Sequence, residues 1–166
     1  MTSHRIATFS VDGSTKYGAV VKGGIVDLSM HFSKDYPTLR EVIAAEALPK
    51  LIEDAARRGP DFPPEAITWL PPIPSPEKII CIGVNYPDRN AEYKDGQDAP
   101  KYPSMFMRTP RSFVGHNAPL IRPRVSPQLD YEGELVLVIG KAGRHIKESD
   151  ALDHIAAVTL CNEGTI

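Results

Sequence analysis

Cysteine is scarce in this chain. There are two in 166 residues, Cys81 and Cys161, each set in an apolar stretch. That argues against a disulfide framework. Both read as buried free thiols, which suits a reducing cytoplasm. Long apolar runs are also missing. The longest uninterrupted one, residues 135–139, is far too short to cross a bilayer. The first residues alternate polar and apolar and lack the apolar stretch of a signal peptide. No sign of charge dominates: 19 Lys and Arg stand against 21 Asp and Glu, for a net charge of -2. A nucleic-acid binder would carry a basic excess, so neither nucleic acid nor membrane is an expected partner. The hydrophobic fraction, 42%, lies slightly below the usual globular range but still supports a packed core.

Proline is absent after Pro127 and abundant before it. The chain has 16, about twice the average usage. Seven of them, Pro60, Pro63, Pro64, Pro71, Pro72, Pro74 and Pro76, crowd one short stretch. Proline fixes φ and removes a backbone donor, so this stretch is neither helix interior nor central strand. It reads as an extended segment with a short strand at 66–70. The expected division is a small α+β domain at 1–70, a linker at 71–76, and a second domain at 77–166.

Within the first part, residues 5–11 alternate with period two, a strand pattern. Asp12-Gly13 is a turn signal before a strand at 17–22, and Gly23-Gly24 is another before 25–28. Three short strands on glycine turns predict a meander. Residues 37–45 predict a helix with Pro37 in its first turn, and 51–58 a second helix stopped by Gly59-Pro60. This part holds no cluster of His, Cys or paired carboxylates, so it reads as a structural or dimer-supporting module. After the linker, 78–84 predicts a buried strand and 85–104 a long polar loop of the kind that forms lids and binding loops. Residues 105–108 predict a short strand and 111–129 a turn-rich segment. Residues 130–139 form the strongest strand pattern. A helix over 148–156 and a final strand over 157–161 complete the expectation.

Asp130, Glu132 and Glu134 stand two apart on the strongest strand, so they share a face that continues into Val136 and Val138, read as core. Like charges leading into a buried strand repel, and a divalent cation offsets that repulsion because hard cations take carboxylate oxygens. The spacing alone also fits acids on a solvated strand end. Glu163, just past the last strand, is a candidate third ligand or a surface acid. In the long loop, Arg89 and Glu92 are three apart. On a helical turn they would share a face, as a general base held ionised or as a plain salt bridge. Arg108 and Arg111 suit a carboxylate substrate through the guanidinium fork, or are ordinary surface charges. His116 is one further loop candidate.

Four segments, KIICIGVNY (78–86), FMRTP (106–110), LDYEGELVLVIG (129–140) and CNE (161–163), fall in one order. That order and spacing resemble the fumarylacetoacetate hydrolase family from residue 78 to the chain end. The first part resembles the small domain that many bacterial members carry. The resemblance implies an α+β, β-rich fold: a mixed-sheet roll preceded by a small α+β domain. It implies Mg2+ or Mn2+ held by Glu132, Glu134 and Glu163, small 2-oxo or β-diketo acids as substrates, and a homodimer. It implies reactions, from C–C hydrolysis to decarboxylation, hydration and isomerisation, that share Lewis-acid stabilisation of an enolate.

Two residues depart from the family pattern. Most members have aspartate where Glu163 stands. Hydrolytic members carry a loop histidine where this chain has Arg89, and arginine cannot act as a base. The expectation is a metal-dependent enzyme acting on an acylpyruvate-like acid. Asn85, Tyr86 and Arg108 line the pocket, Glu92 is the base, and Arg89 anchors a carboxylate. Hydrolytic C–C cleavage is the first reading. An isomerase, hydratase or decarboxylase of unsaturated 2-oxo diacids is the alternative, and a non-catalytic ligand-binding relative a further one. Members continue beyond the third ligand, so the chain is expected to be the N-terminal part of a larger protein, unable to fold alone as a soluble monomer.

Overall fold

Two successive residues with positive φ, Asp12 at 48° and Gly13 at 79°, reverse the chain between β1 (Arg5–Val11) and β2 (Ser14–Val21). A two-residue turn of this hand matches the twist of the strands it joins. β3 (Gly24–Asp27) follows, and a two-residue strand β4 (Thr68–Trp69) returns to pair with β1. The result is an antiparallel four-stranded sheet in the order β3-β2-β1-β4. The computed structural model describes residues 4–83, 85, 86, 88, 96 and 100–166. Its contacts group Met1–Ile73 with Val114–Ile166 as one unit and Pro74–Phe113 as another.

One face of the sheet packs on short helices: α1 (Ser29–Phe32), α2 (Leu39–Ala44) and α3 (Leu48–Ala55). Tyr17, Ala19 and Val26 meet Leu39, Val42, Ile43 and Leu51 there in one buried cluster. The Tyr17 hydroxyl donates to the Tyr36 carbonyl at 2.7 Å. Burial first, and then the charge of Asp27, push this phenol up to about 12. The other face is closed by the segment around Phe62, whose ring meets Phe9 edge-on at 6.2 Å. The proline-rich stretch is thus held against the sheet: Leu70 N–H donates to Thr8 O at 3.0 Å and Thr8 Oγ1 to Pro72 O at 2.6 Å.

The helix bounds differ from the sequence reading for reasons visible in their caps. Pro37 stands ahead of α2, not inside its first turn. Thr38 is the cap, its hydroxyl accepting from Arg40 N at 3.2 Å while its own N–H donates to Glu41 Oε2 at 3.0 Å. α3 begins at Leu48 rather than 51, because Pro49 fits the first turn, and Arg58 lies beyond its end. α1 was not anticipated. Buried Asp27 nucleates it by accepting from Ser29 Oγ at 2.5 Å and from Met30 N at 3.3 Å. The Thr38–Glu41 hydrogen bond, the largest cause, holds the Glu41 carboxyl below its usual value. The capping contribution is therefore present above the unfolded carboxylate pKa and lost as pH falls through the folded one. Thr38→Ala is expected to cost about 1 kcal/mol near neutral pH. The gap to wild type should narrow on acidification, as urea unfolding across pH would show.

Later in the same unit, β7 (Gly133–Ile139) and β8 (Ile155–Asn162) form an antiparallel pair. Val138 packs against the cluster under the first sheet. Val136 and Val138 are half-buried rather than fully enclosed, and the opposite face of the pair is exposed, with Leu135 at 63% and Leu160 at 78%. The expected helix over 148–156 is a 3-10 coil, Glu148–His154. Leu152 is 79% exposed, so its apolar positions face no surface that could stabilise an α-helix. In the other unit, β5 (Ile80–Gly83) pairs with β6 (Ser104–Met107). β5 is not the buried strand expected, since Ile80 and Ile82 are exposed. No described helix is long and apolar enough to cross a membrane.

Candidate metal and substrate site

The acids are ordered by a ladder that runs past the ends of its two strands. Glu134 pairs with Cys161, and Gly133 with Asn162. One step on, Glu163 N–H donates to Glu132 O at 2.8 Å, and Asp130 and Thr165 exchange both backbone bonds at 2.9 and 3.1 Å. In an unbroken antiparallel register, directly opposed residues share a face. Glu132, Glu134, Cys161 and Glu163 therefore lie on the same face of the pair. All four are half-buried, whereas Asp130 is exposed. Asn162 braces this end, its Oδ1 accepting from Glu132 N at 3.0 Å.

The donor set suits a hard divalent cation. Carboxylate oxygens are the donors such a cation takes. Among the described residues, no three His, Cys, Asp or Glu side chains are gathered closely enough to hold an ion as they stand. Cys161 was read from sequence only as a buried thiol. Its position opposite Glu134 was hidden, because only the register reveals it. Burial, then the charges of Glu163 and Glu134, push this thiol up, so it stays protonated and poorly nucleophilic at neutral pH.

The other candidates lie in the second unit or outside the described residues. Arg108 follows β6, donates its backbone N–H to Ile79 O at 3.2 Å, and stacks its guanidinium 4.8 Å from the Phe106 ring centroid. Such a contact holds the planar group against the ring face. Asn85 and Tyr86 are exposed just after β5. Arg111 sits exposed on the 3-10 turn Pro110–Ser112. His116, in the first unit, is also exposed. Arg89 and Glu92 lie outside the described residues.

Solved structures share this strand-rich α+β fold. A fumarylacetoacetate hydrolase from Exiguobacterium antarcticum is 32% identical, with a TM-score of 0.74 over 98% of this chain and 56% of its own. A maleylpyruvate hydrolase from Sphingobium, solved with manganese(II) and pyruvate, is 22% identical and matches with a TM-score of 0.76 over 97% of this chain and 58% of its own. The model of the fumarylacetoacetate (FAA) hydrolase C-terminal region matches residues 78–166. The chain belongs to the fumarylacetoacetate hydrolase family. Among its curated relatives, the oxaloacetate tautomerase YisK of Bacillus subtilis is 45% identical over 96 residues, 57% of this chain and 32% of that protein. The mitochondrial oxaloacetate tautomerase FAHD2A of Bos taurus is 35% identical over 144 residues, 85% of this chain and 45% of that protein. The matches thus span less than half the length of these relatives.

Proposed function

We propose that the protein is a metal-assisted tautomerase or isomerase of small 2-oxo diacids of the oxaloacetate class. The observation that carries this reading is the trio of half-buried carboxylates, Glu132, Glu134 and Glu163, on one face of the β7–β8 ladder. It is found in a chain similar to proteins named oxaloacetate tautomerases. Hydrolytic C–C cleavage, the first expectation from sequence, gives way to its alternative. Hydrolysis needs an activated water, and arginine at position 89 cannot take a proton from one, which would leave that task to Glu92 alone or to His116. Keto–enol exchange needs no water: one proton moves between the C3 carbon and the 2-oxo oxygen.

In this reading the three glutamates hold Mg2+ or Mn2+. When bound, the ion supplies Lewis-acid stabilisation of negative charge on the 2-oxo oxygen. Glu92 carries the proton between C3 and the 2-oxo oxygen, taking it from one and giving it to the other. Arg108, oriented by Phe106, pairs with one substrate carboxylate in bidentate fashion, and Arg89 with the distal one. Asn85 and Tyr86 donate to substrate oxygens. Residues 77–166 supply this machinery, joined through 71–76 to the small domain at 1–70, and the working assembly is a homodimer. The test follows decay of the enol form of oxaloacetate by ultraviolet absorbance, with acylpyruvate cleavage assayed in parallel. Metal-dependent acceleration of ketonisation without C–C cleavage is expected. Cleavage of an acylpyruvate without ketonisation would return the reading to hydrolysis. Binding of oxo acids with no turnover would return it to a ligand-binding protein.

A further inference from the structure

The ladder that carries the acids has one irregularity, at the end farthest from them. Val138 pairs with Ala157, but Ile139 pairs with Ile155, so Ala156 is an extra residue with no partner opposite. This is a β-bulge, and a bulge pins register because the extra residue must find room. The room lies above Gly140. A Cβ placed on Gly140 would stand 2.5 Å from Ala156 Cβ and 3.3 Å from Ile43 Cγ2. The same end is tied by three bonds: Gly140 N–H to His154 O at 2.9 Å, Lys141 N–H to the same oxygen at 3.4 Å, and His154 Nδ1 to Lys141 O at 2.8 Å. A carbonyl only accepts, so Nδ1 carries the proton in that last bond.

We propose that Gly140 and the bulged Ala156, backed by Ile43 of α2, are the register lock of the β7–β8 ladder and the positioning residues for the carboxylates. The inference rests on the metal-site reading and deepens it. Glu132, Glu134, Val136, Val138 and Gly140 share one parity along β7 and the residue flanking each of its ends. A slip of one residue moves every side chain of a strand to the other face. Glu163 and Cys161 would then turn away from Glu132 and Glu134, and the trio would be split between two faces. The first part of the chain thereby acquires a role in the site, because Ile43 lines the space above Gly140 and Val138 packs against the cluster to which Ile43 belongs, whereas Ala156 itself is exposed. Filling the space above Gly140 by one methyl group forces Ala156 to shift. Removing the methyl of Ala156 makes room again.

The experiment has two arms. In the first, Mn2+ affinity is measured by electron paramagnetic resonance for wild type, Gly140→Ala and Gly140→Ala with Ala156→Gly. The single variant is expected to lose at least about tenfold in affinity, the scale of lost outer support around a metal site. The double variant is expected to recover it. Wild-type affinity in the single variant would overturn the proposal, as would a loss that Ala156→Gly does not restore. The second arm reads register without metal. Glu134→Cys places a thiol opposite Cys161, and a cross-strand disulfide is expected to form on oxidation in the Gly140 background and to be suppressed with Gly140→Ala. Equal cross-linking in both backgrounds would overturn the lock. If Gly140→Ala alone does not fold, the double variant carries both arms, and its failure to cross-link overturns the proposal. Undiminished Mn2+ affinity in Glu132→Gln with Glu134→Gln refutes the metal site, while the disulfide arm still decides the lock.

Discussion

Glu132→Gln combined with Glu134→Gln is expected to abolish metal binding and turnover together. Loss of outer support alone costs about 10- to 100-fold in affinity, so removing two direct ligands should cost at least about 100-fold. Titration calorimetry with Mn2+ reads the loss directly, and a thermal melt reads it through linkage. An ion present at about 100 times its Kd stabilises the folded state by about 2.7 kcal/mol. For a chain of this size that raises Tm by roughly 5–10 °C. Wild type should show the rise and the double variant none. Glutamine is nearly isosteric with glutamate, so the ladder and its backbone bonds, which include Glu163 N–H to Glu132 O at 2.8 Å, should survive. An unchanged Mn2+ affinity in the double variant would remove the carboxylate trio as the metal site.

The second large effect lies in the first sheet. Asp27 is fully buried, and its carboxylate accepts from Lys16 Nζ at 2.7 Å, Ser29 Oγ at 2.5 Å and Met30 N at 3.3 Å. Its own N–H donates to Asp61 Oδ2 at 2.7 Å, tying β3 to the returning chain. The Lys16 side chain is 25% exposed, so Asp27→Ala costs chiefly the hydrogen bonds to the buried carboxylate, about 3 kcal/mol. That is a large share of the 5–15 kcal/mol total expected of a domain. Asp27→Ala should therefore lower the urea midpoint sharply. The single tryptophan, Trp69, reports it well, because β4 pairs it with Phe9 on the same sheet. Replacing both partners, Lys16→Met with Asp27→Leu, should cost less than Asp27→Ala alone, since no charge is then left without its partner. A double variant as unstable as the single would show that the cost comes from lost bonds to α1 instead.

Much of the local structure was legible. Period-two alternation located β1 and β7, and the Asp12-Gly13 pair located the hairpin between β1 and β2. The same period placed Glu132 and Glu134 on one face. Three things were not legible. The α2 start was one, since Pro37 invited a start two residues ahead of the one that the Thr38 cap sets. The stretch from 148 had helical spacing but no surface to bury it, and spacing carries no information about what lies opposite. α1 depends on Asp27 being buried beside Ser29, a consequence of the sheet.

The division has a physical reason. A strand turns successive side chains to opposite faces by its own geometry, so the sequence by itself determined that Glu132 and Glu134 point together, and the four ordered segments determined the family. Which residues stand opposite them is a matter of register, and register belongs to two strands at once. Only the tertiary structure decided that Cys161 opposes Glu134, that Glu163 meets Glu132, and that Ala156 bulges over Gly140. Those pairings depend on the space left by Gly140 and on the packing of Ile43 and Val138, contacts between residues roughly a hundred positions apart that no local pattern encodes.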